Sequence, residues 1–143
     1  MIRAIMKGII SAIKTEYGSK YEVYKNPPEQ GLNKGSFLVR CIAPVTVPKF
    51  RNRAEKSYTF HIKYFPKDAN NPDLECFEVG ETLSSVLQII TVDGVAVHSK
   101  GELSCKVVDG VLQFTVTYFV YAMMVEEAGE NMEIMSQSVL IVG

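Results

Sequence analysis

Residues 102–124 have the sequence ELSCKVVDGVLQFTVTYFVYAMM, in which two runs rich in strand-forming residues flank Asp109-Gly110. A two-residue hairpin turn needs positive φ at both of its central positions, and Asp and Gly tolerate that conformation best. The pattern therefore predicts two antiparallel strands, 102–108 and 111–124, joined by a tight turn. The second strand is long and heavily aromatic, with Phe114, Tyr118, Phe119 and Tyr121.

Two amphipathic helices are expected outside this hairpin. The first begins the chain, since six apolar residues fall on one stripe and Gly18 follows as a C-terminal cap. These residues are Ile2, Ile5, Met6, Ile9, Ile10 and Ile13. The second helix begins at Asn71 or Asp73 and buries Cys76, Phe77, Leu83, Val86, Leu87 and Ile90. Gly80 shares this face, where it allows close approach to a strand.

Four further segments have strand-like composition, namely 20–25, 36–47, 57–65 and 91–98, and a polar, basic loop is predicted at 49–56. The resulting order is α-β-β-β-α-β-β-β, with 126–143 as a C-terminal arm or an extra strand. Because the strands come in groups and do not alternate with helices, the pattern favours an α+β fold. We expect a single domain over 1–143, with a mostly antiparallel sheet and two helices packed on one face.

The composition is that of an ordinary globular domain, with 47% hydrophobic and 22% charged residues. Fifteen Lys and Arg against sixteen Asp and Glu give a net charge of -1, so no global field attracts the chain to nucleic acid or to a membrane. No apolar run approaches the length that spans a bilayer. The sequence therefore predicts a protein without a membrane partner that stays in the cytosol where it is made.

Catalytic, metal-binding and cofactor-binding residues are all expected to be absent. His61 lies mid-strand among polar neighbours, and His98 lies at a strand end, and neither has a nucleophile or carboxylate signature beside it. The cysteines Cys41, Cys76 and Cys105 are far apart and odd in number. That spacing fits three reduced, mostly buried thiols better than a disulfide framework or a zinc site.

Two features favour assembly with other proteins. Aromatic and Met enrichment in one strand is typical of interfaces, which makes Tyr118, Phe119 and Tyr121 candidate partner-binding residues. A basic cluster consists of Lys49, Arg51, Arg53 and Lys56. Three interpretations of it stay open, which are contact with a phosphate backbone, contact with an acidic protein partner, or simple solvation. The acidic counterpart, Glu126, Glu127, Glu130 and Glu133, is either a solvated loop or a weak cation site.

An ordered set of short pieces resembles the phage tail terminators of Gram-positive phages, prophages and tail-like bacteriocins. The pieces are the isoleucine-rich N-terminal helix, EQGL at 29–32 with FLV at 37–39, YTFHIKYFP at 58–66, ECFEV at 75–79, and VVDGVLQF at 107–114 with the aromatic strand behind it. They cover roughly residues 1–125, and the segment beyond Glu127 has no counterpart.

This resemblance implies a virion structural protein, assembled in the host cytoplasm and located at the head-proximal end of the tail. Such a subunit forms a homohexameric ring that caps the tail tube, stops its polymerisation and meets the head-completion proteins. In a contractile tail the ring also meets the sheath protein, and DNA passes through its lumen without sequence-specific binding. The alternatives are another head-tail completion or tube protein of related fold, or a small α+β ligand-binding domain or enzyme.

Overall fold

The structure, a computed structural model, describes residues 1–27, 31 and 34–121 in full, and the backbone of 122–125 and 133–140. Within these residues, two helices and eight strands follow one another. In chain order they are α1 (Ile2–Tyr17), β1 (Glu22–Tyr24), β2 (Ser36–Lys49), β3 (Arg53–Phe65), α2 (Pro72–Val86), β4 (Ile89–Val92), β5 (Val95–His98), β6 (Ser104–Val108), β7 (Val111–Val125) and β8 (Glu133–Leu140).

The main sheet has the strand order β1-β2-β3-β7-β6, and β8 pairs with β7 further along that strand. Only the β1–β2 pair is parallel among the described strands, and all other pairs are antiparallel. Strands β4 and β5 form a separate two-stranded hairpin. The predicted α+β class, the mostly antiparallel sheet and the order of elements are confirmed.

Both helices pack against the same face of the main sheet. The apolar stripe of α1 buries Ile5, Ile9, Ile10 and Ile13, and α2 buries Cys76, Val79, Gly80 and Leu83. A Cβ atom added at Gly80 would lie 3.0 Å from the Cys105 sulfur, so a larger residue would crowd the Cys105 side chain on β6. The sequence-based expectation for Gly80 is therefore confirmed.

The segment 91–98, predicted as a single strand, is instead a hairpin around Asp93-Gly94. Both turn residues have positive φ, 50° and 79°, as a two-residue hairpin turn requires. Helix α2 ends at Val86, so Ile90 belongs to β4 and not to the helix. The prediction is wrong because Asp93-Gly94 forms a turn that divides the segment into two paired strands.

The prediction of a loop at 49–56 is also wrong. Strand β2 continues to Lys49 and β3 begins at Arg53, which leaves only 50–52 as a turn. Arg51 and Asn52 have φ values of 61° and 59°. The polar composition of these strand ends is not typical of strands. Pairing with neighbouring strands fixes their extended conformation despite that composition.

The C-terminal segment is described only in part. Residues 133–140 form β8, and 126–132 and 141–143 lie outside the described residues. The predictions made for the acidic residues Glu126, Glu127 and Glu130 therefore concern positions without described structure.

The turn at Asp109-Gly110 is present, with φ values of 53° and 73°, and it joins β6 to β7 in the expected register. A Cβ at Gly110 would meet nothing within 4 Å. Substitution there therefore tests backbone conformation without a steric clash.

We predict that Gly110→Val lowers the free energy of unfolding by more than about 1 kcal/mol, because a β-branched residue resists positive φ. Urea denaturation measures the change, and Gly110→Asn is the control, since Asn tolerates this conformation. Equal stability of the Val variant and the wild type would show that the turn does not set the strand pairing.

Candidate assembly surface

Strand β7 presents alternate residues to the two faces of the sheet. Leu112, Phe114, Val116, Tyr118 and Val120 point to the helices and are 0% exposed. The residues between them are half-buried and lie on the opposite face, which no described helix covers. We call this second side the open face.

Tyr118 lies in the core and not on a partner surface, so the prediction that it binds a partner is wrong. Its side chain is fully buried, and its hydroxyl donates a hydrogen bond of 2.6 Å to the backbone carbonyl of Leu87. Burial raises the pKa of Tyr118 above its usual value. Leu87 follows the last residue of α2, so this bond fixes the end of the helix on the sheet.

Phe119 and Tyr121 lie on the open face, where their neighbours on β3 are Ser57 and Glu55. The ammonium group of Lys100 lies 5.3 Å from the centre of the Phe119 ring and 5.6 Å from that of Tyr121. Such cation–π contacts are worth about 0.5–1 kcal/mol at exposed sites. Both aromatic rings remain half-buried and accessible from solvent.

The four predicted basic residues do not form one cluster. Lys49 pairs with Glu55 at 3.9 Å, and the guanidinium group of Arg51 lies 5.5 Å from the centre of the Phe50 ring. Arg53 lies opposite Lys49, and the alternation of β3 places Lys56 on the other face of the sheet. Only Lys49, Arg51 and Arg53 therefore share the tip of the β2–β3 hairpin.

The outer half of β2 is exposed along its whole length. An extra residue at Ile42 shifts the register of β2 on β3, and the buried run Ser36–Val39 gives way to exposed residues beyond this bulge. Large apolar side chains are exposed here, namely Ile42 (54%), Val45 (48%), Val47 (42%) and Phe50 (82%). Strand β1 pairs with β2 only as far as Leu38, and no other described strand covers the remaining edge.

A second basic group, which the sequence interpretation missed, lies at the other end of the open face. Arg40 is the neighbour of His61 across the β2–β3 pair, and Lys63 and Lys106 flank Gln113 of β7. With Cys41 and Ile42, Arg40, His61 and Lys63 line a depression of about 310 Å³. Strand alternation shows that His61 and Lys63 share a face, but only the strand register shows which residues flank them.

Burial and the positive charges of this basic group both affect the pKa of His61. Partial burial lowers the pKa, and the positive charges of Lys63, Lys106 and Arg40 lower it further. His61 is therefore more weakly basic than a solvated histidine, and the positive charge of the group comes mainly from the other three residues.

Outside these surfaces, the carboxylate of Glu75 has a structural role. Glu75 accepts hydrogen bonds from the Tyr64 hydroxyl at 2.6 Å and from the backbone amides of Lys67 and Asp68 at 2.8 and 2.9 Å. This carboxylate fastens the start of α2 to the end of β3. The described part of the chain holds no group of three or more His, Cys, Asp or Glu side chains that could bind a metal ion.

The cysteines differ from their predicted environment. All three are free thiols, but only Cys76 is buried, while Cys41 is partly exposed and Cys105 is exposed. Among the described helices, none has both the length and the apolar character needed to cross a membrane.

A family described as Phage tail terminator protein matches residues 4–130, which is most of the chain. The chain belongs to the phage tail terminator family. The resemblance seen in the sequence is thereby confirmed, and the family is one of structural proteins of the phage tail. Its members work in association with other tail and head proteins.

Two other comparisons complete these findings. No curated protein sequence matches the terminator chain. Among the solved structures that match, one has a TM-score of 0.40 and 8% sequence identity, over 86% of this chain and 98% of the other.

The buried position of Tyr118 generates a prediction. Tyr118→Phe leaves the Leu87 carbonyl without its donor and should lower the free energy of unfolding by about 1–3 kcal/mol. The matched control is Tyr121→Phe, which removes the same atom from the half-buried open face and should change stability by less than about 0.5 kcal/mol. Urea denaturation distinguishes the two, and equal effects would contradict the assignment of Tyr118 to the core.

Proposed function

We propose that this terminator assembles as a homohexameric ring on the head-proximal end of the tail tube. The ring stops addition of further tube subunits and presents a surface to the head-completion proteins. In a contractile tail it also ends the sheath, and DNA passes through its lumen without sequence-specific contacts. On this proposal the protein acts through interface complementarity, with no catalytic step.

The observation that carries this proposal is the exposed outer half of β2. Val45 and Val47 point to the open face, and Phe50 at the hairpin tip is the most exposed of the large apolar residues that the structure describes. Contiguous exposed apolar side chains are typical of protein interaction sites. The family membership of the chain supports other tail proteins and further copies of the terminator as the partners.

The geometry of a cyclic ring is consistent with this surface. Ring contacts are heterologous, so each subunit needs two different surfaces that fit one another. Beyond Leu38, no described strand covers the outer edge of β2, and this edge offers backbone N–H and C=O groups that a partner segment can pair with. Pro44 and Pro48 interrupt the donors of this strand, which limits uncontrolled strand pairing.

The experiment replaces Val45 and Val47 with Glu and follows the length of tails assembled in cells that lack the wild-type gene. We expect this double variant to fold but to leave tails overlong and without heads, because the charges disrupt an apolar contact. Electron microscopy measures the tail lengths, and light scattering measures the mass of the purified protein.

The matched control is Val95→Glu, on β5. Val95 is 44% exposed, close to the 48% and 42% of Val45 and Val47, but it lies in the separate hairpin. Tails of normal length joined to heads in the Val45→Glu/Val47→Glu strain would contradict the role of this surface. The same defect in the Val95→Glu strain would show that added negative charge alone causes it.

A further inference from the structure

The basic group on the open face occupies two neighbouring rows across four strands. One row runs through Ser104, Thr115, His61 and Arg40, and the next through Lys106, Gln113, Lys63 and Leu38. We call Arg40, Lys63 and Lys106, with His61 between them, the basic patch. Arg40 is directly paired with His61, at about 5 Å. Lys63 lies two residues along β3 from His61, and Lys106 lies beyond Gln113 in the row of Lys63.

No carboxylate is among the described groups whose charges act on His61 in the basic patch. The ion pair between Lys49 and Glu55 lies at the other end of the sheet. The charges that act on His61 are all positive. Like charges on one surface repel, so an acidic occupant would relieve the repulsion within the basic patch.

The chain carries a matching acidic segment, residues 126–133 with the sequence EEAGENME. It connects Val125, the last residue of β7, to Glu133, the first of β8. The segment contains the carboxylates of Glu126, Glu127, Glu130 and Glu133 and no basic residue, so it is strongly acidic.

The acidic segment cannot reach the basic patch of its own subunit. Lys63 and Lys106 are level with Gln113, which lies about 40 Å along β7 from Val125 at about 3.3 Å per residue. No residue of 126–132 is more than four residues from Val125 or Glu133. Even fully extended, the segment reaches only about 14 Å from the strand ends.

We propose that the basic patch of one subunit binds the acidic segment 126–133 of a neighbouring copy. The two surfaces lie at opposite ends of one sheet, which suits a head-to-tail contact repeated around a ring. This inference rests on the proposed ring and adds to it a charge-directed contact that sets the order and direction of subunits. The contact should depend on salt, because exposed charges are screened.

The deciding experiment mixes two charge-reversed chains. Lys63→Glu/Lys106→Glu makes the patch acidic, and Glu126→Lys/Glu127→Lys/Glu130→Lys makes the segment basic. We expect each variant alone to lose assembly at least tenfold at low salt, while an equimolar mixture assembles as alternating copies. Sedimentation velocity measures the assembled fraction, and the control Lys7→Glu/Lys14→Glu, on the exposed side of α1, should assemble like the wild type. A mixture that stays as dissociated as its components would overturn the proposal.

If the wild-type chain does not assemble alone, a peptide titration tests whether the acidic segment binds the basic patch. The probe is VEEAGENME, added to the full chain in an NMR titration, with VQQAGQNMQ as its neutral control. We expect the acidic peptide alone to shift the amide signals of His61, Thr115 and Lys106. No shift, or stronger binding of a short DNA duplex to the same residues, would overturn the proposal. The titration does not depend on tail length. The proposed function and the binding of the acidic segment to the basic patch are therefore tested separately.

Discussion

The pairing of β3 with β7 is the constraint on which the rest of the structure depends. These two strands run together from Tyr64 and Leu112 at one end to Arg53 and Met123 at the other. Their core-facing side chains alternate strictly, and this alternation fixes which residues meet the helices. A slip by one residue would bring Phe119 into the core and expose Tyr118, whose hydroxyl holds the end of α2.

The long strands of the sheet extend beyond the core that stabilises the fold. Helices α1 and α2 and the β4–β5 hairpin cover the part of the sheet that holds Phe37, Phe60 and Phe114. Strands β2, β3 and β7 continue beyond this core, and the bulge at Ile42 marks where the outer strand becomes exposed. A small domain has limited apolar surface to bury, so apolar residues left exposed on an extension are better explained by a partner than by folding.

Much of the fold follows from the sequence by local physical rules. The stripe of isoleucines predicted α1, and Asp109-Gly110 predicted the β6–β7 hairpin, because both signals depend on residues close in the chain. The face of α2 was partly misjudged, since Phe77 is 48% exposed while Val79 is buried. Both residues fit a helical stripe, and only the contact with β6 and β7 decides which one is covered.

The candidate surfaces were harder to predict for the same reason. Tyr118 and Phe119 are adjacent aromatic residues, yet Tyr118 is buried in the core and Phe119 lies on the open face. This difference depends on the strand register rather than on their chemistry. Arg40 and Lys106 lie far from His61 in sequence, so nothing local connects the three. The basic residues 49–56 are close in sequence, yet strand alternation places Lys56 on the other face.

On the proposed function, subunits assemble through the exposed extension of the sheet and not through the helical face. Hydrogen–deuterium exchange, compared between the free chain and the chain in purified tails, distinguishes the two faces. We expect new protection of backbone amides in residues 42–53, where the outer edge of β2 gains a partner. Protection gained only in α1 and α2, with 42–53 exchanging as in the free chain, would contradict it.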